Sequence, residues 1–119
     1  MRYPRVAVIA VLVLTGCSAP YSLQRPSTGQ FASLTMVSSS KAKPTGSYNG
    51  IKSVDGNTFS SEVGTTVFVK AGRRVVGYLC PGWIATDAGP TLTYEFNAGT
   101  DYVLDCDGTP SVRVAPDSP

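Results

Sequence analysis

The stretch 91-TLTYEFNAGTDYVLDC-106 decides the fold class. Leu92, Tyr94 and Phe96 alternate with Thr91, Thr93 and Glu95. After residues 97–100 the pattern resumes, with Tyr102, Leu104 and Cys106 set against Asp101, Val103 and Asp105. A period of two sends successive side chains to opposite faces of an extended chain. The first set of each run therefore faces a core and the second faces solvent. Slipping the register by one residue would bury the three carboxylates and a threonine pair, so the register is strongly specified.

The same signature recurs on either side. Short runs rich in Val, Thr, Tyr and Phe, bounded by Gly, Pro, Asn and Asp, predict strands near residues 31–37, 50–54, 65–70, 73–80, 91–97, 101–106 and 111–115. No apolar stripe at helical spacing follows the leader, so no helix is expected there. Seven short strands with frequent turn residues predict an all-β chain, a small antiparallel β-sandwich. Residues 69–76 (VKAGRRVV) and 96–103 (FNAGTDYV) echo one another, and both read as strand, tight turn, strand, with glycine supplying a positive φ. The echo fits an internal duplication and two independently formed hairpins equally well.

The N-terminal segment is of a different kind. Arg2 and Arg5 precede an apolar run over residues 6–14, far shorter than the roughly 20 residues a bilayer-spanning helix needs. Positive charge followed by a short apolar core is the outline of a secretory signal peptide. The run ends in Leu14-Thr15-Gly16-Cys17, which resembles the lipobox of bacterial lipoproteins. The resemblance implies a diacylglycerol on the Cys17 sulfur, cleavage at the Gly16–Cys17 bond and an acylated new amino terminus. A thiolate is the nucleophile such chemistry requires, and several acyl chains anchor stably where one is marginal. Ser18 after the lipidated position implies passage to the outer membrane, facing the periplasm, in a host with two membranes. The expected organisation is a leader over 1–16, a lipidated terminus and flexible tether over 17–30, and one β-sandwich domain over 31–119.

Together with Val54-Asp55-Gly56, the paired Ala-Gly turns resemble small extracytoplasmic β-domains of the PEGA-like kind, common in bacterial lipoproteins. The resemblance covers residues 50–115 and brings no catalytic residues with it.

Charge and composition bound the chemistry. The chain has 119 residues, with 10 Lys+Arg against 8 Asp+Glu. Setting aside Arg2 and Arg5 leaves equal numbers of basic and acidic residues, so nothing favours nucleic acid as a partner. There is no histidine, which removes the usual general base and Ser-His-Asp or Cys-His nucleophiles. No catalytic residues and no cofactor are expected.

Cys80 and Cys106 each close an apolar run and pass through an oxidising compartment on export, so they are expected to form a disulfide. With no histidine and two thiols, a metal site lacks ligands. Asp101, Asp105 and Asp107 read as a solvated strand end followed by a turn rather than a calcium loop or a carboxylate pair. Trp83 and Ile84 sit in a loop over residues 81–90. They read either as a plug for the open end of the sandwich, the favoured account, or as a partner-binding element. Arg73 and Arg74, in the preceding turn, read as solvated charges or as part of the same partner surface. The expected function is a non-catalytic envelope lipoprotein, tied to the membrane through Cys17, that binds a protein or cell-wall partner. The alternative is an inhibitor or immunity-type lipoprotein blocking a cell-wall-acting enzyme.

Overall fold

The computed structural model describes residues 19–39, 49–83 and 89–116. The leader, Cys17 and Ile84 lie outside the described residues. All seven expected strands are present: β2 (Phe31–Val37), β3 (Gly50–Val54), β5 (Thr66–Lys70), β6 (Gly72–Leu79), β7 (Thr91–Phe96), β8 (Asp101–Asp105) and β9 (Ser111–Val114). Two short strands join them, β1 (Tyr21–Ser22) and β4 (Asn57–Thr58). One sheet has the order β1-β5-β2-β8-β9 and the other β4-β3-β6-β7, so the chain is a two-sheet all-β fold.

The period of two is clearest in β2. Ala32, Leu34 and Met36 of β2 are buried between the sheets, while the intervening Ser33 and Thr35 face outward. Ser33 donates to the Asp101 carboxylate at 2.7 Å, and the Thr35 and Thr66 hydroxyls lie 2.7 Å apart. Val67, Val69, Tyr102 and Leu104 complete the inner face of this sheet, and Ile51, Val54, Val76, Tyr78 and Phe96 meet them from the other. Each fully buried side chain of this size contributes about 1.5–3 kcal/mol. Tyr94, Phe96 and Tyr102 pack edge to face at centroid separations of 5.2–5.6 Å, which adds electrostatic preference to burial. Val103 occupies the outward row, as its alternation predicts, yet is only 9 % exposed. Thr35 and Arg113 flank it on the neighbouring strands.

Neighbour relations differ from the expected hairpins. β5 lies in one sheet and β6 in the other, and the same is true of β7 and β8. Both Ala-Gly steps are therefore corners that carry the chain between sheets. A single residue, Ala71, separates β5 from β6, too few for a two-residue hairpin turn. Gly72 and Gly99 do adopt positive φ, 119° and 79°. β7 pairs antiparallel with β6, and β8 lies between β2 and β9. The β2–β8 pairing is parallel, against the expected antiparallel arrangement, because β8 returns to the first sheet after the chain has crossed the second.

Part of the segment expected to be a tether contacts the sheet. Tyr21 and Ser22 pair with Val69 and Phe68, the Lys70 N–H donates to the Pro20 carbonyl at 2.8 Å, and Tyr21 stacks on Phe59 at 4.3 Å. Further along, the Arg25 guanidinium stands 5.0 Å over the Phe68 ring. The segment from Pro20 onward is thus laid along the sheet, held by its pairing with β5, the Pro20–Lys70 bond and two ring contacts.

Candidate functional site: the two ends of the sandwich

The sandwich has two unlike ends. At one, which we call the corner end, both intersheet steps and the β3–β4 turn come together. Asp55 and Gly56 form that turn with φ of 51° and 82°, the left-handed pair a two-residue hairpin requires. Asp55 then ties the turn to β6. Its carboxylate accepts from the Val75 N–H and from Arg74 Nη1, both at 2.9 Å. Partial burial pushes the Asp55 carboxyl up, but the Val75 N–H and the Arg74 guanidinium outweigh it and hold the group below the usual aspartate range.

Arg74 has further work at this end. Its Nε donates to the Lys70 carbonyl at 3.0 Å and its Nη2 to the Ala71 carbonyl at 2.9 Å. These bonds cap the β5–β6 corner, so Arg74 is a structural clamp rather than a solvated turn charge. Arg73 is exposed and lies opposite Glu95 in the β6–β7 register. The second corner has its own clamp, the Asn97 N–H donating to the Tyr102 hydroxyl at 2.9 Å.

The other end carries the disulfide. Cys80 follows β6 and Cys106 follows β8, with Cα atoms 5.8 Å apart, so the bridge joins the two sheets. The Cys80 carbonyl accepts from Asn49 Nδ2 at 2.9 Å and from the Trp83 N–H at 3.1 Å. The second bond closes a turn over residues 80–83, with proline second and Gly82 third at φ 86°, the type II pattern. That turn folds Trp83 back until its ring lies 5.9 Å from Tyr78. Trp83 keeps 38 % exposure and stands outside the core cluster. It is a rim residue, set beside Tyr78 and partly exposed.

The acidic run divides between the ends. Asp101 is at the corner end, bonded to Ser33. Asp105 and Asp107 are at the disulfide end. Asp107 accepts from the Ser39 N–H and hydroxyl at 3.0 and 2.9 Å, and these bonds hold its carboxyl below the usual range against a smaller opposing effect of burial. Asp105 accepts from the Asp107 N–H at 2.8 Å and pairs with Arg113 at 3.3 Å. Every carboxylate of the run is engaged in closing a strand end. No group of three or more His, Cys, Asp or Glu arranged to hold a metal occurs among the described residues.

The expected partner surface does not form one patch. Arg73 and Arg74 begin β6, whereas Trp83 follows its far end. Seven residues of strand from Arg73 to Cys80 put roughly 23 Å between them. The structure joins Cys80 to Cys106 and leaves the arginines at the opposite end. Sequence reading missed Asn49 and Ser61, and it noted Asp55 only within Val54-Asp55-Gly56 and not as a clamp. Ser61 is 6 % exposed; its hydroxyl accepts from the Ile51 N–H at 3.2 Å and donates to the Ile51 carbonyl at 3.0 Å. Of these, Asp55 carried a legible signal, the Asp-Gly pair between β-forming residues.

Fold and site together define the class as a disulfide-bridged two-sheet β-sandwich with one clamped end and one end bearing an exposed tryptophan. Comparison with family models, with curated proteins and with solved structures finds no match.

Proposed function

We propose that this chain is a non-catalytic envelope lipoprotein. A lipid on Cys17 ties the sandwich to a membrane, and the Trp83 end meets a protein or cell-wall partner. One observation carries this reading: the chain joins the sheet at the corner end, where Pro20 bonds Lys70, while Trp83 stands at the far end. The three residue steps from Cys17 to Pro20 reach about 10 Å when extended. A lipidated Cys17 would therefore hold the corner end close to the bilayer and turn the tryptophan outward. Ser18 directs such a protein to the outer membrane where the host has one.

An exposed tryptophan on an apolar ring suits a contact that carries much of a binding energy. Two measurements test the reading. Mass spectrometry of the protein from native envelopes is expected to show diacylglyceryl and acyl groups on Cys17 and no leader; a bare thiol with the leader attached overturns the anchor. Trp83→Ala is expected to leave the melting temperature within a few degrees and to weaken capture of the envelope partner or of cell-wall sacculi about 30-fold, the cost of a 2 kcal/mol contact. Unchanged capture overturns the binding end.

A further inference from the structure

Among the described residues β7 is the open edge of the second sheet. The other sheet margins are blunted: β1 and β4 have two residues each, and β9 carries Arg113 between Pro110 and Pro116. β7 runs for six residues and pairs with β6 over residues 72–77 without a bulge. It contains no proline or glycine, and its one charge, Glu95, points to the outer face. A strand of this kind is a template for another strand.

Its free backbone groups can be assigned. The Tyr78 N–H donates to the Pro90 carbonyl at 3.1 Å. Antiparallel alternation then turns the backbone groups of Leu92, Tyr94 and Phe96 toward β6 and those of Thr91, Thr93 and Glu95 away from it. Among the described residues no strand pairs with that outward side. Thr91, Thr93 and Glu95 are exposed, and Leu92 and Tyr94 remain half-buried at the margin of the core.

We infer that β7 pairs antiparallel with β7 of a second copy of this chain, about a two-fold axis at Thr93. The outward N–H and C=O groups fall in pairs on Thr91, Thr93 and Glu95, symmetric about Thr93, so in the antiparallel sense the edge is its own complement. Thr93 meets Thr93 of the second copy and Thr91 meets its Glu95, and every outward N–H of the strand reaches an outward carbonyl. On the inner side Leu92 meets Tyr94 of the second copy, covering the apolar surface left at each margin. Thr–Thr and aromatic–aliphatic cross-strand pairs are favourable, and an isologous contact closes at two copies. The second sheets of the two copies become one continuous sheet. This dimer uses neither the corner end nor the Trp83 end, and it stands whether or not Cys17 is lipidated.

Cysteine scanning in the full chain, oxidised mildly in intact cells that express it, tests both the contact and its register. In a hydrogen-bonded antiparallel pair the Cα atoms lie about 5.5 Å apart, within disulfide reach. Thr93→Cys is expected to give a dimer band that reductant collapses, with mass spectrometry identifying two peptides linked through position 93. Thr91→Cys or Glu95→Cys alone, about 13 Å from its own copy, is expected to give at least 10-fold less, and the double variant to restore the dimer. Equal yields from all three positions, no dimer from Thr93→Cys, or adducts only with another polypeptide overturn the inference. As a second readout, Thr93→Pro removes an outward N–H and no bond to β6. It is expected to sediment as a monomer where the unsubstituted chain is a dimer, and a dimeric Thr93→Pro chain overturns the inference equally.

Discussion

Arg74 and Tyr102 perform one task at two places: each ties a corner between the sheets to backbone that no strand partner reaches. A backbone carbonyl or amide left unpaired at a partly buried corner costs about 1–3 kcal/mol, so the clamps matter more than their partial exposure suggests. Arg74→Met, which keeps much of the side-chain volume, is expected to lower unfolding stability by about 1–2 kcal/mol in urea titration. Asp55 adds a pH dependence. Its pKa is lower in the fold than in the unfolded chain, so its stabilisation is complete above the ordinary aspartate value and is lost as pH falls through the lower one. Asp55→Asn is therefore expected to reduce stability at neutral pH and to flatten the acid limb below about pH 4, as read by melting temperature against pH. Ser61 is the deeper case. Its hydroxyl satisfies both polar groups of Ile51 beside the β3 bulge, and Ser61→Ala is expected to cost about 1–3 kcal/mol. Gly50, two positions before that bulge at φ 149°, packs against the Ser61 carbonyl so closely that a Cβ would collide with backbone.

At the scale of elements, the short strands are the informative ones. β1 has only two residues, yet Tyr21 brings an aromatic stack with Phe59 and fixes where the chain joins the sheet. Tyr21→Ala is expected to cost about 1–2 kcal/mol and to speed hydrogen exchange at the Lys70 amide, whose acceptor is Pro20, while the amides between β6 and β7 keep their protection. β1 escaped sequence reading because two residues cannot display a period. The long strands were legible to within a residue or two, because each presents an apolar row toward one core. Their neighbours were not. A hairpin and an intersheet corner place the same residues inward, so the alternation at residues 69–76 and 96–103 fits both.

For the molecule as a whole, the Cys80–Cys106 bridge closes the sandwich at the end away from the corners. Its sequence separation of 26 residues corresponds to roughly 3 kcal/mol in the chain-entropy account. Reduction, or the double change Cys80→Ala and Cys106→Ala, is expected to lower the unfolding free energy from urea titration by that amount and to raise the m-value, because the uncrosslinked unfolded chain exposes more surface. A loss below 1 kcal/mol would mean that the core alone holds the sheets together. The bridge also supports the turn over residues 80–83 that aims Trp83, so the reduced protein is expected to lose order at that end, read as a shift in Trp83 fluorescence.

Composition and the period of two, read from residues alone, determined that this chain is built of strands and which faces of them are apolar. The spacing of Cys80 and Cys106 on inward rows made their pairing foreseeable. Tertiary structure alone decided that β8 lies parallel to β2, that Arg74 serves the fold, and that Arg73 and Trp83 stand at opposite ends. The physical reason is range: alternation is a local property of one strand against water, whereas strand neighbours and corner clamps depend on groups brought together only when both sheets close on a shared core.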